Sequence, residues 1–494
     1  MPLDPRETDP LERLLARDPR RVTRRHFLSS VGAGLGGIAL GELLGGDGLL
    51  PSLSAASPTL PTGTPHFAPR AKRVIVLHMA GSPPQHDLFD PKPALAPLDG
   101  QKCPESFLEG ERFAFIKGHP KILASPYSFA HHGGSGIEVS ELLPHLSGEI
   151  DRCCVIRSMH TDQFNHAPAQ LFLYSGSPRL GRPSMGSWAT WGLGTENEDL
   201  PGYVVLVSGG KTPSAGKSVW GSGFLPSVHQ GVQCRSTGDP VLYVGDPAGI
   251  DRATRRRALD TLARLNELEA ERTGDPATLE RIEQYELAFR MQVEVPGVMD
   301  IGRETPAIIE EYGASPGEAS FANNCLLARR LVESGVRFVQ LFDWGWDTHG
   351  TNPSDDIITQ LPKKCRETDR PIAALLRDLD RRGLLDETLV VWTGEFGRTA
   401  MNEERNGSKY LGRDHHPHCY TIWLAGGGVK PGHVHGETDE FGVRITRDPV
   451  HVHDLQATIL HLLGVDHTRL TYPYQGREFR LTDVHGKVIE GLLA

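Results

Sequence analysis

A chain of 494 residues with a formal net charge of −10 is long enough for a large core, as one big α/β domain or two ordinary ones. It carries no basic tract, which sets nucleic-acid binding aside. Its 22 histidines are unevenly placed, many in short clusters with Asp or Gly, as metal or acid–base sites require. Seven cysteines, none in a Cys-Xaa-Xaa-Cys pair, give no disulfide framework.

At the N-terminus, Thr23-Arg24-Arg25-His26-Phe27-Leu28 precedes a weakly apolar, glycine-rich run from Val31 to Leu40. Paired arginines before such a run predict a twin-arginine export signal over 1–56, with small residues at Ser54-Ala55-Ala56-Ser57 suited to cleavage. The run falls short of the roughly 20 apolar residues that a bilayer-spanning helix needs, so the mature protein is expected to have no stable membrane span. The expected destination is the periplasm or cell envelope. Residues 57–72, rich in Pro, Thr and Ser, read as a linker, and 73–494 as an α/β domain.

Within that domain Arg73 to Gly81 reads as a buried strand that runs into His86-Asp87-Leu88-Phe89-Asp90. From Pro91 to Gly134 the sequence is irregular, and Val139, Leu142, Leu143 and Leu146 predict a helix over Glu138 to Leu146. Cys153 to Met159 is the next strand, opening into Thr161, Asn165 and His166, with a short helix at Ala169 to Tyr174 stopped by Gly176. Tyr203 to Val207 follows as a strand. Between about Pro247 and Pro296, Leu259, Leu262, Leu265 and Leu268 keep helical spacing, and Thr273-Gly274-Asp275-Pro276 breaks it, which predicts a helical hairpin insertion. Phe321 to Ser334 is helical. Directly after it, a strand from Val336 to Phe342 stops in Asp343-Trp344-Gly345-Trp346-Asp347-Thr348-His349-Gly350. A helix at Ile372 to Leu379 leads to a strand, Thr388 to Gly394, that empties into Glu395-Phe396-Gly397-Arg398-Thr399. A polar loop then ends in Arg413-Asp414-His415-His416, before a strand from Tyr420 and a helix over Val452 to Leu463.

Four strand ends (Asp87; Asn165 with His166; Asp347 with His349; Glu395) and the Asp414-His415-His416 loop would share one address, the carboxyl edge of a parallel sheet, where ligands of α/β proteins gather. Carboxylate and imidazole are donors that divalent ions take, and imidazole favours zinc over magnesium. Other histidines have plainer readings: His78 lies inside a strand as a core or supporting residue, and His451 and His453 start a helix.

In this order the parts resemble the alkaline-phosphatase superfamily, which includes sulfatases. More closely the chain resembles the exported, sulfatase-like domain-of-unknown-function family 1501, through His86-Asp87-Leu88-Phe89-Asp90-Pro91-Lys92-Pro93, Asn165-His166, Trp346-Asp347-Thr348-His349-Gly350, Gly394-Glu395-Phe396-Gly397-Arg398-Thr399 and Gly412-Arg413-Asp414-His415-His416-Pro417. The resemblance implies an alkaline-phosphatase/sulfatase-like, mostly parallel sheet flanked by helices. It implies one or two divalent ions, zinc first with calcium or magnesium as alternatives, among Asp87, Asp347, His349, Glu395, Asp414, His415 and His416. Asp343 is the fallback ligand. Thr161, Asn165 and His166 stand where the nucleophile would be, and Arg398 and Arg413 would hold an anionic substrate. The Cys/Ser-Xaa-Pro-Xaa-Arg motif of formylglycine sulfatases does not occur in the chain, and Phe396 stands where the superfamily has a histidine ligand. The expected function is hydrolysis of phosphate or sulfate esters on a small molecule or polysaccharide. The alternative is a non-catalytic carbohydrate- or envelope-binding protein on the same fold.

Overall fold

The computed structural model describes residues 63–109, 113–236, 238, 240, 241 and 249–494. The expected export signal and residues 57–62 of the expected linker lie outside the described residues. Two compact units are present. One has residues 249–288 as its described part, and the other is built from Thr59–Gly245 and Phe289–Ala494.

In chain order the strands that position the site are β1 (Arg73–Ala80), β2 (Cys153–His160), β3 (Tyr203–Ser208), β4 (Val232–Gln233), β5 (Phe338–Trp344), β6 (Thr388–Thr393), β7 (Gly397–Asn402), β8 (Arg413–His416), β9 (Tyr420–Ala425), β10 (His433–His435) and β11 (Val450–His451). The helices are α1 (His166–Ser175), α2 (Met185–Leu193), α3 (Arg252–Thr273), α4 (Pro276–Met299), α5 (Phe321–Glu333), α6 (Gln360–Arg381) and α7 (Val452–Leu462). The main sheet runs β10-β2-β9-β6-β1-β5-β3-β4, with β11 also paired to β2. Every pairing in it is parallel except those of β9, which runs antiparallel to both β2 and β6. This is the mostly parallel α/β sheet with flanking helices expected from the sequence.

The central strand explains why. β1 reads Arg-Val-Ile-Val-Leu-His-Met-Ala and is buried at every position after Arg73, as a strand covered on both faces must be. Side chains alternate between faces. Val74 and Val76 join the cluster that contains Phe172 of α1, Trp188 of α2 and Leu455 of α7. Ile75 and Leu77 therefore face the other side, where α5 and α6 lie. Because β1, β2, β5 and β6 all point the same way, their carboxyl ends meet on one edge. A second, antiparallel sheet of β7, β8 and Lys121–Ile122 crosses that edge.

Helix α3 and the part of α4 up to Ala288 make the described part of one unit. Asp251 caps α3 by accepting from the Thr254 N–H at 2.7 Å, Gly274 ends it in the left-handed region, and Arg256 bridges to Glu286 of α4 at 2.8 Å. Of the four leucines at helical spacing only Leu259 is buried; Leu262, Leu265 and Leu268 are exposed. Glu138 to Leu146 is not a helix. Ile137–Ser140 is a strand paired with Phe129–His132, and Leu146 begins a separate 3₁₀ turn. Pro144 explains the difference, since it removes a helical donor and clashes with the preceding turn.

Among the described residues no helix is long and apolar enough to cross a membrane. All seven cysteines are free and buried, in keeping with the absence of a disulfide framework in their spacing.

Candidate metal centre

The stretch after β5 carries Asp347 and His349 onto the carboxyl edge. It is held there by close backbone approach. Gly81, the residue after β1, has φ +107°, and a Cβ on it would overlap the backbone of Asp347. On the other side a Cβ on Gly412 would overlap the backbone of His349. These glycines bring β1, the Asp347 loop and the start of β8 together.

Three imidazoles converge on one carboxylate oxygen. Oδ1 of Asp347 lies 2.8 Å from Nε2 of His349, 3.2 Å from Nε2 of His166 and 3.4 Å from Nε2 of His415. The four residues offer ligand atoms that all lie within 4.8 Å of one another. The guanidinium of Arg398 donates to the same oxygen. His349 and His415 are almost fully buried, whereas Asp347 keeps 25% and His166 16% of their side-chain surface, so the group opens to solvent on their side. The rings of Phe115 and Phe396 line the rest: Phe115 stands edge-on to His349 and His415, and Phe396 lies 4.4 Å from His415 and 5.1 Å from His166.

The opposite nitrogen of each ring is fixed. Nδ1 of His166 donates to Glu395 at 2.7 Å, Nδ1 of His349 to Glu403, and Nδ1 of His415 to the Phe164 carbonyl at 2.6 Å. Carboxylates and carbonyls only accept, so each Nδ1 carries a hydrogen and each Nε2 turns toward Asp347. This is the arrangement by which proteins orient metal-binding histidines.

Electrostatics supply the test of fit. Burial raises the Asp347 carboxyl, but the Arg398 charge and the three facing imidazoles of His166, His349 and His415 outweigh it and hold it well below the usual range. Burial pulls His166 down, yet its bonds to Asp347 and Glu395 win and lift it to about 9. His349 is raised in the same way, against burial, by Asp347 and Glu403. His415 goes the other way: burial takes it to about 4, so its Nε2 lone pair faces a carboxylate oxygen without a proton between them. Four carboxylates (Asp347, Glu395, Glu403, Asp414) surround the three rings, and two guanidiniums (Arg398 on Asp347, Arg405 on Glu403 at 3.1 Å) offset them. Two formal negative charges remain. Two protons balance them, or one divalent cation does. The donor set of three imidazoles and a carboxylate suits zinc and other borderline ions.

The structure distributes the other sequence-predicted residues differently. Glu395, expected as a ligand, is fully buried and spends both oxygens on protein. It accepts from His166, from Gln170 at 3.1 Å and from the Gly81 N–H at 3.1 Å, and Nε2 of His78 lies 3.1 Å from its other oxygen. It positions His166. His78 thus takes the supporting role its place in β1 suggests. Asp87, also expected as a ligand, is bound in two-pronged fashion by Arg413, at 2.8 and 3.0 Å, with both side chains fully buried. That pairing also removes Arg413 as a receiver of substrate, because its remaining donors go to the Leu123 and Thr399 carbonyls. Arg398 is likewise buried and engaged, by Asp347 and the carbonyls of Gly81, Ser82 and Arg413. Asp414 accepts three backbone N–H bonds, from Phe115, Ile116 and His415, each at 2.8 Å, and so ties the Phe115 loop to β8. It lies with His349 and Glu403 in a second acidic group of ligand spacing, but its lone pairs are used in holding backbone. His416 points away, to the Val443 carbonyl at 2.8 Å. Asp343 is tied to Lys364 at 2.7 Å, Ser208 at 2.8 Å and the Trp346 indole at 3.0 Å, which excludes it as the fallback ligand. Thr161 is buried with its hydroxyl unpaired, and Asn165 is the exposed N-cap of α1.

Sequence reasoning passed over Glu403, which fixes His349 and lies just after β7. Glu403→Gln is expected to weaken divalent-metal affinity by about 10–100-fold, the usual effect of losing an orienting partner. Competition with a chelating dye measures it, and unchanged affinity would show that Glu403 does not orient His349.

Comparison with solved structures finds likenesses at low identity. The PsFucS1 sulfatase from Pseudoalteromonas sp. is 13% identical, with 80% of this chain and 68% of that chain covered, at a TM-score of 0.33. A protein of the alkaline phosphatase superfamily from Vibrio parahaemolyticus is 10% identical, with 83% and 71% covered, at 0.31. The phosphonate monoester hydrolase SpPMH from Silicibacter pomeroyi is 14% identical, with 65% and 68% covered, at 0.29. All three superpose too loosely for residue-by-residue transfer. No curated protein matches the sequence. Over residues 71–493 the sequence matches the family described as "Protein of unknown function (DUF1501)", and the chain belongs to that family.

Proposed function

We propose that the chain is an exported, metal-dependent hydrolase of phosphate or sulfate esters, with His166, Asp347, His349 and His415 holding one divalent ion, zinc by preference. The observation that carries this reading is the convergence of three Nε2 atoms on Oδ1 of Asp347, with every Nδ1 fixed from behind. A bound divalent ion would supply Lewis-acid polarisation of an ester oxygen. The protein's own part is orientation and exclusion of water. Glu395, Glu403 and the Phe164 carbonyl set the rings, and Arg398 fixes the rotamer of Asp347. Phe115 and Phe396 cover the imidazoles and leave Asp347 and His166 as the open side that meets the ester.

A second reading, a non-catalytic carbohydrate- or envelope-binding protein, is favoured by one observation: Arg398 and Arg413 are both spent on buried acceptors. Turnover separates the two. Purified protein is expected to hydrolyse an aryl phosphate or aryl sulfate, to lose that activity on chelation and to regain it with zinc. Stoichiometric metal with no turnover of either ester selects the binding protein.

A further inference from the structure

A cavity of about 920 Å³ opens beside the carboxyl ends of β3 and β5. Two of its cations are neutralised: the buried Lys364 by Asp343 and Glu367, each at 2.7 Å, and Arg370 by Glu310 at 2.6 Å. Three more, Lys211, Arg235 and Arg366, are exposed on its walls, and none is paired with a carboxylate among the described residues. The first turn of α5 also lines it. Ser320 caps the Asn323 N–H, which leaves those of Phe321 and Ala322 outside the helical ladder and facing this end of the helix. On a chain whose net charge is −10, three unpaired cations around one cleft are a local field for an anion.

Trp344 joins this cleft to the histidine group. Its indole has the Lys211 ammonium 5.6 Å from the ring centre on the cleft's side, and the His166 ring is 6.2 Å from it. One half-buried indole therefore separates the open edge of the His166–Asp347 group from the first cation of the cleft. A flat apolar ring between a group that would hold an ester against a metal ion and a cleft that attracts negative charge fits a sugar ring carrying anionic groups on either side. Nucleic acid fits less well, because three cations on an acidic chain neutralise few phosphates.

We propose that the cleft binds a second anionic group of the same substrate molecule, so that the substrate is an acidic saccharide chain and not a lone monoester. This rests on the hydrolase reading only for the words "same substrate"; the cleft's binding of the chain is tested separately.

The test is direct binding, by calorimetry, of a dextran sulfate oligosaccharide, a polyuronate oligosaccharide and neutral dextran to the full chain and to a Lys211→Gln/Arg235→Gln/Arg366→Gln variant. The wild-type protein is expected to bind one or both acidic chains and not the neutral one, with affinity falling as salt rises. The two acidic arms tell sulfate from carboxylate. The triple variant is expected to bind about tenfold or more weakly, with its bound metal and melting temperature unchanged. A Trp344→Ala variant is expected to weaken acidic-chain binding while keeping the salt dependence. Equal affinity of wild type and triple variant overturns the proposal, as does tighter binding of a DNA oligonucleotide of equal charge. Binding with no ester turnover leaves the cleft standing and removes the hydrolase; turnover with binding indifferent to the three cations does the reverse.

Discussion

Asp347→Asn is expected to leave a folded protein that holds no divalent ion. Asparagine preserves the shape of the side chain and its acceptor oxygen for Arg398, so the loop after β5 keeps its anchor. What it removes is the charge that three Nε2 atoms and a cation share. The loss of affinity should exceed the roughly 10–100-fold typical of an orienting partner, since Asp347 is the one carboxylate with its oxygen inside the group. Ester turnover should vanish with the metal. Asp347→Ala should also lose the metal, but it leaves the buried Arg398 guanidinium without its anion and costs stability as well. Metal analysis and thermal melts on the two variants separate the effects. An Asp347→Asn protein that keeps stoichiometric metal and turnover would falsify the placement of the site.

Arg413→Met is expected to produce the largest loss of stability, and to do so without touching the metal. Arg413 and Asp87 are both fully buried and doubly bonded, so removing the guanidinium strands a carboxylate in the core and frees two carbonyls. Breaking a buried pair from one side costs about 3–5 kcal/mol. The double variant Asp87→Leu/Arg413→Met should recover much of that, because replacing both partners removes the stranded charge. Denaturant unfolding gives the free energies. Metal content gives the second readout: retained metal in folded Arg413→Met agrees with Asp87 lying outside the ligand group, and its loss from folded protein returns Asp87 to it.

The sheet was legible because its strands are continuous apolar runs that end abruptly in polar residues, and their parallel order puts those ends on one edge. That reasoning brought His166, Asp347, His349 and His415 to the same place. It could not divide ligands from their supports. Glu395 and Asp347 both follow strands, and bonds from the Gly81 N–H and Gln170, distant in sequence, hold Glu395 behind His166. The Asp87–Arg413 pair spans 326 positions and leaves no local pattern. Glu403 sits beside Glu404 in a polar loop, and its role depends on the Glu403 N–H meeting the Gly412 carbonyl across the start of β8. One distinction was within reach. Arg413 to His416 is a strand and not the end of a loop, and alternation along a strand sends His415 and His416 to opposite faces. A strand there allows only one of the two histidines into the site.

One divalent ion is expected to displace protons from the group of His166, His349, His415 and Asp347. The raised value of His166, about 9, leaves that ring protonated in metal-free protein at neutral pH, so entry of the ion must expel its proton. Calorimetric titration of metal-free protein with zinc at pH 7, in buffers of different ionisation enthalpy, reads both quantities at once. One ion per chain is expected to enter with release of at least one proton, and the His166 share of that release shrinks as pH rises through 9. No binding, or binding without proton release at pH 7, would contradict it.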